Sequence, residues 1–142
     1  MRSGFSLPEL LVVLAIVAVG TVLALPRLGD VLDWVAADGA ARDVTTALAV
    51  TRAAAVTQST LARVDIGADS LRIDIQVDGV WGPWRRYPGP AARRVQLEVS
   101  NPEVIYAPSG LGWGPANSTI TLRRGAREET ITTSRVGRVK RW

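Results

Sequence analysis

The stretch FSLPELLVVLAIVAVGTVLALP, residues 5–26, decides the fold of this 142-residue chain. Leu10 to Leu25 contains no charged residue, and a helix over residues 5–26 would be roughly 33 Å long at about 1.5 Å per residue. That length is enough to cross the hydrocarbon core of a bilayer. One acid, Glu9, stands at the start of the apolar run, where a carboxylate is costly unless a cation pairs with it. The segment therefore predicts a membrane helix with an acid that needs a partner.

Cleavage between Gly4 and Phe5 would supply that cation. The new amino group of Phe5 would lie one helical turn from Glu9 and on the same face, so it could pair with its own or a neighbour's acid. Pro8, which lies between them, is tolerable because an N–H in the first helical turn has no partner in any case.

The sequence GFSLPELLVVLAI resembles the class III signal of type IV pilins and of the pseudopilins of type II secretion. This resemblance implies that a prepilin peptidase cuts after Gly4 and methylates the new N-terminal residue, Phe5. It also implies that Glu9 pairs with the terminal amine of an adjacent subunit during filament assembly. Pro8 departs from the aliphatic residue that is commoner before this glutamate. A secretory signal peptide cut after Ala24 and a plain membrane anchor are simpler interpretations, but neither needs the acid.

Composition excludes most familiar catalytic sites. The chain has no cysteine and no histidine, which removes disulfides, thiol chemistry, Ser-His-Asp triads and the commonest metal ligand. Four aspartates around a predicted strand do not have the spacing of an EF-hand loop: Asp65, Asp69, Asp74 and Asp78. We therefore predict a protein that is not an enzyme, with no catalytic residues, no cofactor and no metal site.

The periodicity of apolar residues predicts an α+β fold. A helical stripe continues to about Thr60, and alternating strands follow, of which Leu71 to Val77 is the clearest. The predicted organisation is a leader (1–4), a hydrophobic transmembrane or filament helix (5–27), an amphipathic helix (28–60) and an antiparallel β domain (61–142). The resemblance implies the same pilin-like arrangement of a long N-terminal helix packed on a C-terminal antiparallel sheet.

Several connections can be predicted within the β domain. Leu61 to Ile66 should pair with the strand at 71–77, and Ile120 and Leu122 should face Ile131 across a hairpin. Val136 and Val139 predict a last strand with a bulge at Gly137. Two segments rich in glycine, proline and aromatic residues, 78–90 and 108–117, are predicted loops. Their tryptophans either anchor an interface or cap the core: Trp81, Trp84 and Trp113.

Positive charge is concentrated near the C-terminus. Residues 133–140 resemble the SxxGRVR terminus common to the GspH/FimT family, and residues 46–55 resemble its helix end, LxxARxxA. FimT-type members bind DNA during uptake through basic residues around this terminus. The resemblance therefore implies four candidate DNA contacts: Arg135, Arg138, Lys140 and Arg141. The alternative is that these cations only solvate a strand edge and prevent edge-to-edge pairing.

The sequence as a whole favours a GspH-type minor pseudopilin of type II secretion. Many FimT-like proteins carry a cysteine pair that this chain lacks. The expected partners are prepilin peptidase, other pseudopilins or pilins, the inner membrane and secreted proteins. Arg2 favours a cytoplasmic N-terminus and a periplasmic globular domain, by the positive-inside rule. The alternatives are a FimT-like minor pilin that captures DNA, a periplasmic binding domain behind a signal peptide and, least favoured, a hydrolase.

Overall fold

The computed structural model describes residues 6–142, without the side chains of residues 23–26. The chain divides into two compact units, Met1–Leu32 and Asp33–Trp142. One long helix, α1, spans Leu7–Thr57, and strands and a short 3-10 helix at Pro90–Arg93 follow it. The prediction of an α+β chain with a helix to about residue 60 is confirmed.

Small apolar residues let α1 pack closely in the second unit. Between Ala36 and Ala55, buried residues recur every three or four positions, as expected of one helical face. Alanine dominates this face, and it combines the highest helix propensity with a short side chain. The larger Val44 and Leu48 are fully buried and contribute to a single core cluster with the strands.

The strands form two antiparallel sheets. Sheet A has five strands in the order β3-β2-β1-β5-β6, and sheet B has four in the order β4-β7-β8-β9. Their bounds are β1 Ala62–Ile66, β2 Ser70–Val77, β3 Val80–Pro88, β4 Gln96–Val99, β5 Glu103–Tyr106, β6 Gly112–Trp113, β7 Ser118–Arg124, β8 Arg127–Thr133 and β9 Val139–Arg141. The predicted pairing of β1 with β2 is confirmed, and Ile120 lies directly opposite Ile131 in the β7–β8 hairpin.

Both predicted loops contain strands, so that prediction is wrong. Residues 80–88 form β3 and residues 112–113 form β6, which are the two edge strands of sheet A. Proline is compatible with an edge strand because its missing N–H can face solvent. Asp78 and Gly79, with φ of 52° and 81°, form the two-residue turn between β2 and β3. An Asp-Gly pair between apolar residues is a strong local signal of such a hairpin.

The predicted bulge in the last strand is also wrong. Gly137 has a φ of +72° and lies in a turn, and β9 begins only at Val139. The Gly137 N–H donates to the Ser134 carbonyl at 2.8 Å, and the Ser134 N–H donates to the Arg138 carbonyl at 3.0 Å. Such a left-handed conformation favours glycine because it has no side chain to clash with the backbone.

Candidate interaction surfaces

The start of α1 carries one half of a capping box, the hydrogen bond to the glutamate. The Ser6 N–H donates to Oε2 of Glu9 at 3.4 Å, and the Leu10 N–H donates to the Ser6 carbonyl at 3.2 Å. Serine before a helix and glutamate three residues later are the residues that this motif requires. The S-x-x-E pattern of residues 6–9 signals this second role of Glu9, which the predicted pairing with an amine does not include. The predicted cleavage site, Gly4 and Phe5, lies outside the described residues.

The first turns of α1 present an apolar surface. The helix contains a segment long and apolar enough to cross a membrane, and none of that segment is buried by the described part of the chain. Its valine, leucine and isoleucine side chains between Leu7 and Val22 are all about half exposed or more. Such a surface requires a lipid environment or other apolar helices around it.

Three of the four candidate DNA contacts are exposed at the C-terminal end of the chain: Arg135, Arg138 and Lys140. The Lys140 ammonium lies 3.2 Å from the centroid of the Trp142 ring, a cation–π geometry. None of the ion pairs among the described residues involves these three cations. They are therefore available to an anionic partner.

Arg141, the fourth candidate, is part of an ion-pair network inside the domain. Its guanidinium donates to Glu129 at 2.9 Å and to Asp38 on α1 at 2.5 Å. The hydrogen bond from Arg141, followed by one from Arg42, lowers the pKa of the Asp38 carboxyl. Glu129 and Asp38 in turn raise the pKa of Arg141. This arginine joins β9 to the helix, and contacting a phosphate would require it to leave both carboxylates.

The two segments that resemble GspH/FimT motifs contact each other. Nε of Arg52, in the helix-end motif, donates to the Gly110 carbonyl at 2.8 Å. A Cβ at Gly137, in the C-terminal motif, would lie 2.5 Å from that same carbonyl oxygen and 3.1 Å from Nε of Arg52. The Gly112 N–H also donates to the Arg135 carbonyl at 2.7 Å. The glycine of the C-terminal motif therefore lets the turn approach the end of α1 closely.

The tryptophans of sheet A have different surroundings. Arg63 stacks on Trp81 at 4.7 Å and Arg85 stacks on Trp84 at 4.5 Å, and both rings are partly buried. Trp84 packs against the core, as expected of a residue that caps it. Trp113 on β6 is 57% exposed, which leaves it available for an interface.

A second group of basic residues surrounds one end of sheet B. Nε of Arg124, at the end of β7, donates to Asp33 on α1 at 2.8 Å, and its Nη1 donates to the Arg93 carbonyl. Arg93 itself pairs with Asp43 at 2.8 Å. These contacts hold the β7–β8 hairpin turn against the first residue of the second unit.

No catalytic arrangement is evident among the described residues. Within residues 6–142, no group of three or more potential metal ligands is close enough to hold an ion. An open groove of about 430 Å³ is lined by six residues, Asp43, Thr46, Tyr87, Pro88, Ala92 and Arg93. Its only carboxylate is that of Asp43, which pairs with Arg93. The groove therefore lacks the paired carboxylates of general acid–base catalysis.

Comparison with known proteins identifies the N-terminal segment and the fold. Residues 1–25 match the prokaryotic N-terminal methylation motif. The type IV minor pilin FimU of Pseudomonas aeruginosa is similar in structure, with a TM-score of 0.62 and 17% identity over 73% of this chain and 86% of FimU. The minor pseudopilin EpsH from the type 2 secretion system of Vibrio cholerae has a TM-score of 0.60 and 15% identity over 75% of this chain and 95% of EpsH. Among curated proteins, none is significantly similar to this chain in sequence.

These findings confirm the resemblance to GspH/FimT-like proteins at the level of motif and fold. The chain has a pilin-like fold and carries a prepilin-type methylation motif. The motif implies processing by a prepilin peptidase and assembly with other pilin-like subunits, and with the apolar helix it indicates anchoring in a membrane by one helix. The two similar structures come from different kinds of system: one is a type IV minor pilin and the other a minor pseudopilin of a type 2 secretion system.

Proposed function

We propose that this pilin-like chain is a GspH-type minor pseudopilin, incorporated near the tip of the type II secretion pseudopilus. In this proposal, prepilin peptidase cleaves the chain after Gly4 and methylates Phe5. The apolar helix anchors the subunit in the inner membrane, with the N-terminus in the cytoplasm and the β domain in the periplasm. The subunit acts by assembly and not by catalysis, and it helps to export secreted proteins.

The observation that carries the proposal is a methylation motif on a helix whose apolar surface is left uncovered by the described part of the chain. An anchor alone needs neither Glu9 nor the motif around it. A filament has a use for the apolar surface, for Glu9 and for the methylation motif. The helices of neighbouring subunits can cover the apolar surface, and a neighbour's terminal amine can neutralise Glu9. The absence of the cysteine pair common in FimT-like proteins favours the secretion branch.

Processing is tested first, by co-expressing the chain with a prepilin peptidase and analysing its N-terminus by mass spectrometry. We expect the mature chain to begin at Phe5 and to carry one added methyl group. Gly4→Val should block cleavage, whereas Gly20→Val, inside the apolar segment and with open space around it, should not. Cleavage after Ala24 would remove Glu9 and exclude a filament role.

The capping box allows a precise test of Glu9 in assembly. Glutamine can fill the same position in a capping box, so Glu9→Gln keeps the cap and removes only the charge. Glu9→Val removes both. If Glu9 pairs with a neighbouring amine, both variants should remain in the membrane but fail to co-purify with other pseudopilins after cross-linking. Normal assembly of Glu9→Gln would mean that the cap alone matters and would contradict charge pairing.

A FimT-like role in DNA uptake is the second candidate. It is favoured by the exposed cluster of Arg135, Arg138 and Lys140, which lies near exposed aromatic rings such as that of Trp142. Cationic side chains with adjacent aromatic rings are typical of surfaces that bind nucleic acids. The overall formal charge of +4 adds only weak attraction.

DNA binding can be measured with a fragment from Leu28 onward, which retains the whole core cluster. Binding should weaken steeply with salt and should be lost when Arg135, Arg138 and Lys140 are replaced by glutamine. A matched control replaces Arg94 and Arg127, exposed cations elsewhere on the domain. Equal losses in the two variants would indicate non-specific attraction, and no binding at low salt would exclude this role.

A further inference from the structure

We propose that the end of sheet B that carries the β7–β8 hairpin turn is a docking surface for anionic phospholipid headgroups. The surface consists of the turn residues Gly125 and Ala126 with two flanking cations, Arg94 and Arg127; we call it the hairpin end. The inference rests on the membrane anchoring in the proposed function. It adds a second contact with the membrane, made by the β domain of the subunit before assembly.

The ion pair between Arg124 and Asp33 locates the hairpin end within the domain. The guanidinium and carboxylate are 2.8 Å apart, and the backbone at Gly125 lies directly against the Asp33 carboxylate. Asp33 is the first residue of the second compact unit. The hairpin end is therefore the part of the β domain where the chain enters from the membrane segment.

Chain length limits how far this end can lie from the uncharged run. Eight residues separate Leu25, the end of the uncharged run, from Asp33, so even a fully extended chain would span at most about 29 Å. The opposite end of the domain lies near Arg52, nineteen residues further along α1, or roughly 28 Å away at the rise of a helix. The hairpin end is thus the end of the domain that the shortest stretch of chain joins to the uncharged run.

The charges at the hairpin end divide into paired and available groups. Asp33 and Asp43 pair with Arg124 and Arg93. Arg123 is shared between Glu128, at 2.7 Å, and Glu98. After this pairing Arg94 and Arg127 are both exposed, and neither takes part in an ion pair within residues 6–142. Three paired arginines therefore face four acids, and with the two unpaired cations, Arg94 and Arg127, these groups carry a net charge of +1.

Backbone geometry fixes these cations at this end of the sheet. Arg94 caps the 3-10 helix in a left-handed conformation with φ of 56°, and its N–H donates to the Ala91 carbonyl. Arg127 is the first residue of β8 and lies opposite Arg124. Trp34, next to Asp33 on α1, is 50% exposed, and tryptophan is enriched where proteins meet the headgroup region. Basic side chains near an anionic membrane and an adjacent tryptophan suit the same partner.

The membrane anchor allows a surface with only two unpaired cations to dock on lipid. Two cations would bind a free vesicle only weakly, but the anchor keeps the domain at a high effective concentration near the lipid. Neutralising both cations should lower the ratio of docked to undocked domains about thirty-fold, at the usual contribution of each basic residue near such a surface.

The experiment uses the full chain reconstituted in vesicles, with a single spin label. The natural chain has no cysteine, so Ala126→Cys at the hairpin end and Ser109→Cys at the opposite end each give one labelling site. Both positions are exposed. The measured quantity is the collision rate of the label with a water-soluble paramagnetic reagent. Vesicles contain phosphatidylcholine alone or with phosphatidylglycerol, at low salt and at about 1 M salt, where screening reduces the Debye length to about 3 Å.

We expect the label at position 126 to be protected only with phosphatidylglycerol at low salt, and the label at 109 to stay accessible throughout. Arg94→Gln with Arg127→Gln should remove the protection, whereas Arg135→Gln with Arg138→Gln should not. Equal accessibility in all vesicles would overturn the proposal, as would protection in phosphatidylcholine alone, which would indicate apolar insertion. Anchoring and cleavage after Gly4 are measured on the same sample, so a failure of docking is distinguishable from a failure of the proposed function.

Discussion

Replacing Gly137 by alanine tests the contact between the C-terminal turn and the end of α1. The new Cβ would meet the Gly110 carbonyl oxygen at 2.5 Å and Nε of Arg52 at 3.1 Å. A left-handed backbone costs a non-glycine residue about 1–2 kcal/mol. Displacing the carbonyl also weakens its hydrogen bond with Arg52, which is worth about 1.5 kcal/mol, the low end for a charged donor because Arg52 is exposed. We therefore expect Gly137→Ala to lower the free energy of unfolding by about 3 kcal/mol.

Gly114→Ala is the matched control. Gly114 has a φ of +66°, close to that of Gly137, but no atom lies within 4 Å of the position of its missing Cβ. This variant should lose only the backbone term of about 1–2 kcal/mol. Urea unfolding of the fragment from Leu28 onward, followed by tryptophan fluorescence, measures both variants. If Gly137→Ala costs no more than Gly114→Ala, the close approach to Arg52 and Gly110 contributes nothing and the reasoning is wrong.

Three further predictions concern the core and its ion pairs. The Tyr106 hydroxyl is buried with no hydrogen-bond partner among the described residues, and burial raises its pKa. Tyr106→Phe should therefore raise the free energy of unfolding, measured by urea titration, by about 1 kcal/mol. A lower free energy of unfolding would mean that the hydroxyl has a hydrogen-bond partner and would contradict this. The lowered pKa of Asp38 means that its pairing with Arg141 stabilises the fold above the ordinary value of 3.8 and is lost as pH falls through the lower folded-state value. The gap in urea midpoint between the natural chain and Asp38→Asn should therefore be constant near neutral pH and close in acid, and a constant gap at every pH would contradict this. Leu48→Ala should cost about 2–5 kcal/mol because Leu48 is fully buried, whereas Val77→Ala, at an exposed position, should cost less than about 0.5 kcal/mol in the same assay.

Local sequence patterns predict a strand well where its side chains alternate between the core and solvent. The alternation from Leu71 to Val77 predicted a half-buried strand, which β2 confirms at Leu71 and Ile73, both fully buried. Beyond the register shift after Ile73 the alternation fails, because Asp74 is buried and Val77 is exposed. The two predicted loops were wrong because proline and glycine density is a local signal, whereas position at a sheet edge depends on which strands pair. An edge strand accommodates Pro83, and a central strand would not.

Ion pairs across the domain could not be predicted in the same way. Asp33 and Asp38 lie off the apolar stripe of α1, which locally indicates a solvated face. In the structure they bind Arg124 and Arg141, which are 91 and 103 residues away along the chain. No periodicity connects residues at such separations. The contact between the Arg52 segment and Gly137 could not be predicted for the same reason, although each segment resembles a family motif.

The ion pairs reduce the number of basic residues in the C-terminal half that are available to an anionic partner. A count of arginines predicts one broad positive surface, but Arg93, Arg123, Arg124 and Arg141 are engaged with carboxylates. The exposed cations outside these pairs include two sets at opposite ends of sheet B: Arg94 with Arg127 at the hairpin end, and Arg135 with Arg138 and Lys140 near the Arg52 end. The first set lies where the chain enters the domain from the apolar segment, and an anionic lipid surface is the partner proposed for it. The second set lies at the other end of sheet B, and DNA is the partner proposed for it. Neutralising the two sets separately therefore distinguishes a membrane contact from a contact with a soluble partner, which a single variant with reduced net charge cannot do.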